Sequence, residues 1–374
     1  MKRHLSALFL LLLFTAVVAA AYEYRTGMEK QPPITFNRTE KKIVLKPKVA
    51  LQETTVSQDQ KDSEATEDSG ESENPQDAKD TADTKNPQGV KDEQKSEAAQ
   101  DMSDQQDDRT AVDLIIFAGQ SNMSGYGGDA TQIPELLEGA GGEFRAVSDP
   151  TCLYTIVEPF GYYENTEVMN DFHMKRGSLV TAFVNAYYEK TGVPVVAVSA
   201  SKGGMSSSYW ASDAVCEEVV NRYRTAYEWL NGNGYRVRFK YLVFLQGENN
   251  VIEKIPTEQY QSDIYKFSQA LYREGLDKFF LIRIGGEKQN PDAFNDLIAL
   301  QTELCRNNPN FVLASTVLSA YTGKDMVDEY HYTQQVLNDV GDDAGSNVGE
   351  FSNTWIEPSM YDYKYGTTYE PMRY

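Results

Sequence analysis

Five short apolar runs, each broken off by glycine or a small polar turn, restrict this chain to few folds. The first begins at Asp113, runs through Leu114, Ile115, Ile116 and Phe117, and stops at Gly119. The others cover 193–199, 239–245, 278–284 and 311–316. Runs rich in Val, Ile, Leu and Phe without polar alternation read as strands buried on both faces. Between them lie helix-period stretches at 177–191, 213–230, 257–273 and 293–306, and another starts at Thr333. Gly192, the Asn231–Gly234 turn and Gly275 supply helix stops. Strands alternating with helices predict a parallel sheet covered on both faces. Right-handed crossovers bring the strand ends to one rim, where such sheets place their ligands.

Chemistry is therefore sought in the turns just past each strand. Gly119-Gln-Ser121-Asn-Met-Ser-Gly125 puts a serine just past the first strand. Gly203-Gly204 comes after the second strand and Gln246-Gly247-Glu248-Asn249-Asn250 after the third. A serine nucleophile needs a base, usually histidine. The globular part offers His173, in a polar loop that reads as surface or substrate-side, and His331. Asp328 lies three residues before His331, near enough on a turn for its carboxylate to reach one ring nitrogen. An oxyanion hole needs donors aimed at one point, and Ser121, Gly203, Gly204, Gln246 and Asn249 are the candidates. Taken singly, each motif has a plain structural reading. Ser121 can cap a helix, Asp328 can cap another beside an incidental histidine, and the glycines can be turns. Together they stand in one chain order, each at a strand end.

In that combination the motifs resemble the sialate O-acetylesterase / carbohydrate esterase family 6 branch of the SGNH (GDSL-like) hydrolases. The resemblance runs from about Val112 to Leu337. It implies a flavodoxin-like three-layer α/β/α fold with about five parallel strands, and a cofactor-free, metal-free acyl-enzyme mechanism. Ser121 would be nucleophile, His331 base and Asp328 its orienting acid. Backbone groups of Ser121 and of Gly203 or Gly204 would donate to the oxyanion. The third donor stays open between Gln246 and Asn249. The chain departs from the family at Met205, where threonine is usual, and at Asn250, where an acid is usual. The function implied is removal of O-acetyl groups from carbohydrate, with acetylated xylan first and acetylated sialic acid next. Tyr162-Tyr163 and Tyr209-Trp210 are candidates to stack on sugar rings. The rivals are a non-catalytic glycan-binding surface protein on the same fold and a lipase-like esterase.

The remainder of the chain sets the context. A basic start and an apolar run, ending at Ala19-Ala20-Ala21, read as a signal peptide or membrane anchor over residues 1–21. The protein is thus expected to be secreted or held at the cell surface. Residues 22–110 read as a disordered acidic linker, and 111–374 as the SGNH-type esterase domain. Residues 51–110 hold no aromatic side chain, with 18 acidic and 6 basic ones. Such a stretch cannot bury enough apolar surface to offset its ordering entropy. The chain's net charge of −21 argues against nucleic acid. Three cysteines, Cys152, Cys216 and Cys305, allow one bridge or none. No metal-ligand spacing such as C-x2-C is present.

Overall fold

Strand β2 (Thr110–Gly119) is buried from Val112 onward, which requires cover on both faces. The structure, a computed structural model, describes residues 34–46 and 107–372. Among them β2 is a central strand of an eight-stranded sheet. The other strands are β1 (Lys42–Ile43), β3 (Gly141–Arg145), β4 (Asp149–Tyr154), β5 (Val195–Ser201), β6 (Tyr235–Leu245), β7 (Lys278–Ile282) and β8 (Phe311–Ser315). Their order is β1-β4-β3-β5-β2-β6-β7-β8. From β3 to β8 all neighbours are parallel, while β4 pairs antiparallel with β3 and β1. All five predicted strands are present and parallel, and β3 extends the parallel set. The fold is the α/β architecture expected.

Helices α2 (Val180–Thr191) and α8 (Gln334–Thr354) pack against one another. Gly341 and Gly345 of α8 make this approach: a Cβ there would stand 2.3 Å from the carbonyl oxygens of Leu179 and Phe183. Helices α4 (Asp213–Gly232), α6 (Thr257–Arg273) and α7 (Asn295–Asn307) form a second packed row. Ser212 caps α4, its side chain accepting from Val215 N–H, and Gly192 ends α2 at φ +66°. Cys216 and Cys305 are buried, and all three cysteines are free.

The predicted boundary between linker and domain is corrected. Residues 34–46 belong to the globular unit, because β1 forms the edge of the sheet beside β4. Asn37 and Glu158 exchange hydrogen bonds (3.3 and 2.8 Å), and Glu40 pairs with Arg145 at 3.2 Å. Phe36 packs against Tyr162 and Tyr163, and Leu45 is buried with its N–H on Tyr235 Oη at 3.3 Å. The signal or anchor at 1–21 and the core of the acidic stretch lie outside the described residues. Among those described, no helix is long and apolar enough to cross a membrane.

Beyond α8 the chain closes with a two-stranded hairpin, β9 (Met360–Asp362) and β10 (Thr367–Tyr369). Asp362 anchors it with two bonds of 2.6 Å to the fully buried Arg283. Burial would raise the pKa of Asp362, but the guanidinium outweighs this and holds the carboxyl below its ordinary range. Asp362→Ala would strand a buried guanidinium. It is expected to destabilise the protein by about 3–5 kcal/mol, read from the midpoint of urea unfolding.

Candidate active site

Gly119 ends β2 at φ +139°, and a Cβ there would stand 2.1 Å from Leu245 O. Only glycine lets the chain turn so tightly against β6. Ser121 then opens α1 (Ser121–Ser124), a single turn closed by Gly125 at φ +78°. The serine is almost wholly buried, at 4% exposure. Among the described residues neither its N–H nor its hydroxyl has a hydrogen-bond partner, and none joins it to His331.

Asp328 and His331 meet as their spacing predicts. The ring Nδ1 lies 2.7 Å from Asp328 Oδ2, and Asp328 Oδ1 accepts from the N–H groups of Tyr330 and His331 (3.0 and 2.9 Å). Burial pushes the Asp328 carboxyl up, but the histidine and these N–H groups outweigh it and hold the carboxyl below its ordinary range. Asp328 is therefore ionised at neutral pH and fixes the ring with Nε2 as the remaining nitrogen.

Asn122 joins the two halves, and sequence reasoning missed it. Its Nδ2 donates to Tyr330 O at 3.0 Å and its Oδ1 accepts from Tyr332 N–H at 3.4 Å. The residue after Ser121 thus grips the backbone on both sides of His331. The same Nδ2 donates to Glu248 Oε1 at 2.7 Å. Glu248 is buried, which raises its pKa, the bond from Asn122 opposing. Tyr126 and Gly127, just past α1, complete the seat. The Tyr126 ring centroid lies 5.5 Å from that of His331, and a Cβ on Gly127 would press on His331 Cβ.

His173 is elsewhere. It stands at φ +69° with its ring against Phe172 and its Nδ1 3.3 Å from Tyr162 Oη. Its neighbour Asp171, which no motif marked, is a buried hub. Asp171 accepts from Ser124 Oγ and Tyr126 Oη (both 2.6 Å), Lys202 Nζ (3.2 Å) and Gly203 N–H (2.9 Å).

That last bond corrects one oxyanion candidate, because the Gly203 N–H is committed to a carboxylate. Gly204 stands at φ +70° with open space where a side chain would be. Among the described residues its N–H has no partner. Gln246 is corrected likewise. It is buried, and its Nε2 already faces Gln120 Oε1, Met205 O and Asn250 Oδ1 (3.3, 3.1 and 2.8 Å). Asn249, partly exposed in α5 (Glu248–Ile252), accepts from Gln120 Nε2 through its Oδ1 at 3.2 Å. This turns its side-chain Nδ2 away from Gln120, while its backbone N–H donates to Gln120 Oε1 at 3.4 Å. The donors left available are Ser121 N–H, Gly204 N–H and Asn249 Nδ2. Trp210 is corrected too: at the end of the short helix α3 (Ser207–Trp210), it is fully buried among Phe244 and Phe267 and can stack on nothing outside.

A family model described as carbohydrate esterase, sialic acid-specific acetylesterase, matches residues 111–347. No curated protein matches the chain. Among solved structures, a protein from Arabidopsis thaliana is similar over 65% of this chain and 98% of its own, at 17% identity and TM-score 0.48. NanS is similar over 66% and 98%, at 12% identity and TM-score 0.45. A carbohydrate acetylesterase from Xanthomonas citri is similar over 67% and 58%, at 15% identity and TM-score 0.43.

Proposed function

Because the chain belongs to the sialic acid-specific acetylesterase family of carbohydrate esterases, and is on that ground an esterase, we propose that it removes O-acetyl groups from carbohydrate by serine catalysis. One observation carries the catalytic assignment: Asn122 ties the Asp328–His331 pair to the turn that presents Ser121. Ser121 Oγ attacks the acetyl carbonyl while His331 Nε2 takes its proton. Ser121 N–H, Gly204 N–H and Asn249 Nδ2 are the donors at hand for the oxyanion. The tetrahedral adduct collapses to acetyl-Ser121, and His331 returns the proton to the departing sugar hydroxyl. Water, deprotonated by the same ring, then releases acetate and restores the serine. Asp328 holds the ring and stabilises the imidazolium formed in each step.

The substrates we infer are acetylated polysaccharides or glycans of the xylan or sialic acid type. The site of action is outside the cytoplasm, on the strength of the apolar N-terminal run. The test is acetate release from a panel of acetylated xylan, pectin, peptidoglycan and sialoglycans, beside 4-nitrophenyl esters of rising chain length. Release from at least one glycan, with acetyl preferred over long acyl chains, is the expected outcome. No release from any glycan, or a preference for long chains, would overturn the substrate assignment.

A further inference from the structure

The hairpin β9–β10 lies beyond residue 347, where the family match ends. It carries Tyr361, Tyr363 and Tyr365 at 54%, 45% and 50% exposure. Tyr361 and Tyr363 meet edge to face with centroids 4.9 Å apart, and Tyr365 lies over the Arg283 guanidinium. One exposed aromatic needs no explanation, but three on one short element do. Nor is the element a loose tail. Between the tyrosines Asp362 turns inward to the buried Arg283 and also accepts from the N–H groups of Lys364 and Tyr365 (3.0 and 3.3 Å). Thr316 Oγ1 donates to Tyr361 O at 2.7 Å, and Lys364 Nζ pairs with Asp292 at 2.7 Å.

The place of these anchors matters. Arg283 and Thr316 come directly after β7 and β8, as Ser121, Gly203 and Gln246 come after β2, β5 and β6. The tyrosines are thus fastened to the strand-end rim that bears the catalytic residues.

We propose that Tyr361, Tyr363 and Tyr365 form an accessory carbohydrate-binding surface that holds a polysaccharide beside the catalytic rim; this rests on the carbohydrate reading above. Each ring offers a flat apolar face and a hydroxyl, with little rotamer freedom to lose. A pyranose presents the matching pair, an apolar C–H face and a hydroxyl edge. The net charge of −21 opposes anionic lipid or an acidic partner.

The experiment compares the full-length parent with a Y361A/Y363A/Y365A variant. Two substrates are used: 4-nitrophenyl acetate, and the panel polysaccharide that the parent deacetylates fastest. The expected result is kcat/KM on the small ester within about twofold of the parent and KM on the polymer raised about fivefold, the effect of about 1 kcal/mol of lost contact. Retardation in gels containing that polysaccharide should weaken in parallel. If the triple variant loses small-ester activity, Y363A alone carries the comparison. An unchanged polymer KM overturns the accessory surface and leaves the esterase reading intact. Concentration-dependent dimerisation or binding to phosphatidylcholine vesicles that vanishes in the variant, with polymer KM unchanged, assigns the tyrosines to another partner and also overturns it. A parent that hydrolyses 4-nitrophenyl acetate but no polysaccharide overturns the substrate class and the accessory surface together.

Discussion

Ser121→Ala is expected to lower kcat on 4-nitrophenyl acetate by at least about a thousandfold, leaving the residual turnover of binding and oxyanion donors alone. The serine stands at a turn that only glycine at 119 permits, with a hydroxyl committed to no other group among the described residues. Removing Oγ deletes the attacking atom while opening little space, so Tm should hardly move. A fluorophosphonate probe should add its mass to the tryptic peptide containing Ser121 in the parent and not in the variant. Labelling elsewhere, with activity intact in the alanine variant, would sink the assignment.

His331→Ala should be nearly as damaging, because nucleophile and base act as a unit. The ring must be neutral to accept the serine proton, so activity falls as pH drops and the ring takes up a proton. The sign is fixed: an acid limb of slope one, with the active form on its alkaline side. Asp328→Asn should cost less, since the ring and oxyanion donors remain, but the ring loses the partner that fixes its tautomer. The carboxylate 2.7 Å from Nδ1 holds the ring with Nε2 as the free nitrogen, which the amide of asparagine does only for one of its two orientations. His173→Ala provides the control, for His173 sits against Phe172 and Tyr162 rather than on the turn after β2. Loss of the limb in the His173 variant, with His331→Ala still active, would place the base in the loop at 170–176.

The pattern of legibility depends on what each residue's neighbours are. Helix α6 lies where its pattern predicts, at Thr257–Arg273, because its apolar stripe and the glycine stop at 275 both speak locally. Strands β3 and β4 escaped notice. β3 opens with two glycines, and β4 is largely polar and only partly buried, so neither resembles a buried apolar run. Asp328 and His331 were readable because the contact between them is local. Asn122 and Asp171 were not, since their partners lie 208 and 32 residues away in the chain, at Tyr330 and Gly203. The oxyanion candidates show the same limit. A motif names which residues carry N–H groups, but only the folded neighbourhood shows that Gly203 and Gln246 have already spent theirs.

The edge strand β1 changes how the chain's two ends of sequence relate to distance. Read linearly, some ninety residues separate the apolar N-terminus from the domain. With 34–46 laid into the sheet, the leash from that terminus is only residues 22–33, whose contour cannot exceed about 40 Å. The described residues on either side of the acidic stretch both belong to the sheet-bearing unit. Leu45 N–H reaches Tyr235 Oη before it, and Thr110 N–H reaches Gly234 O after it. Its length therefore adds nothing to reach. If residues 1–21 stay in a bilayer, the enzyme works within a few nanometres of that surface, on material brought to it.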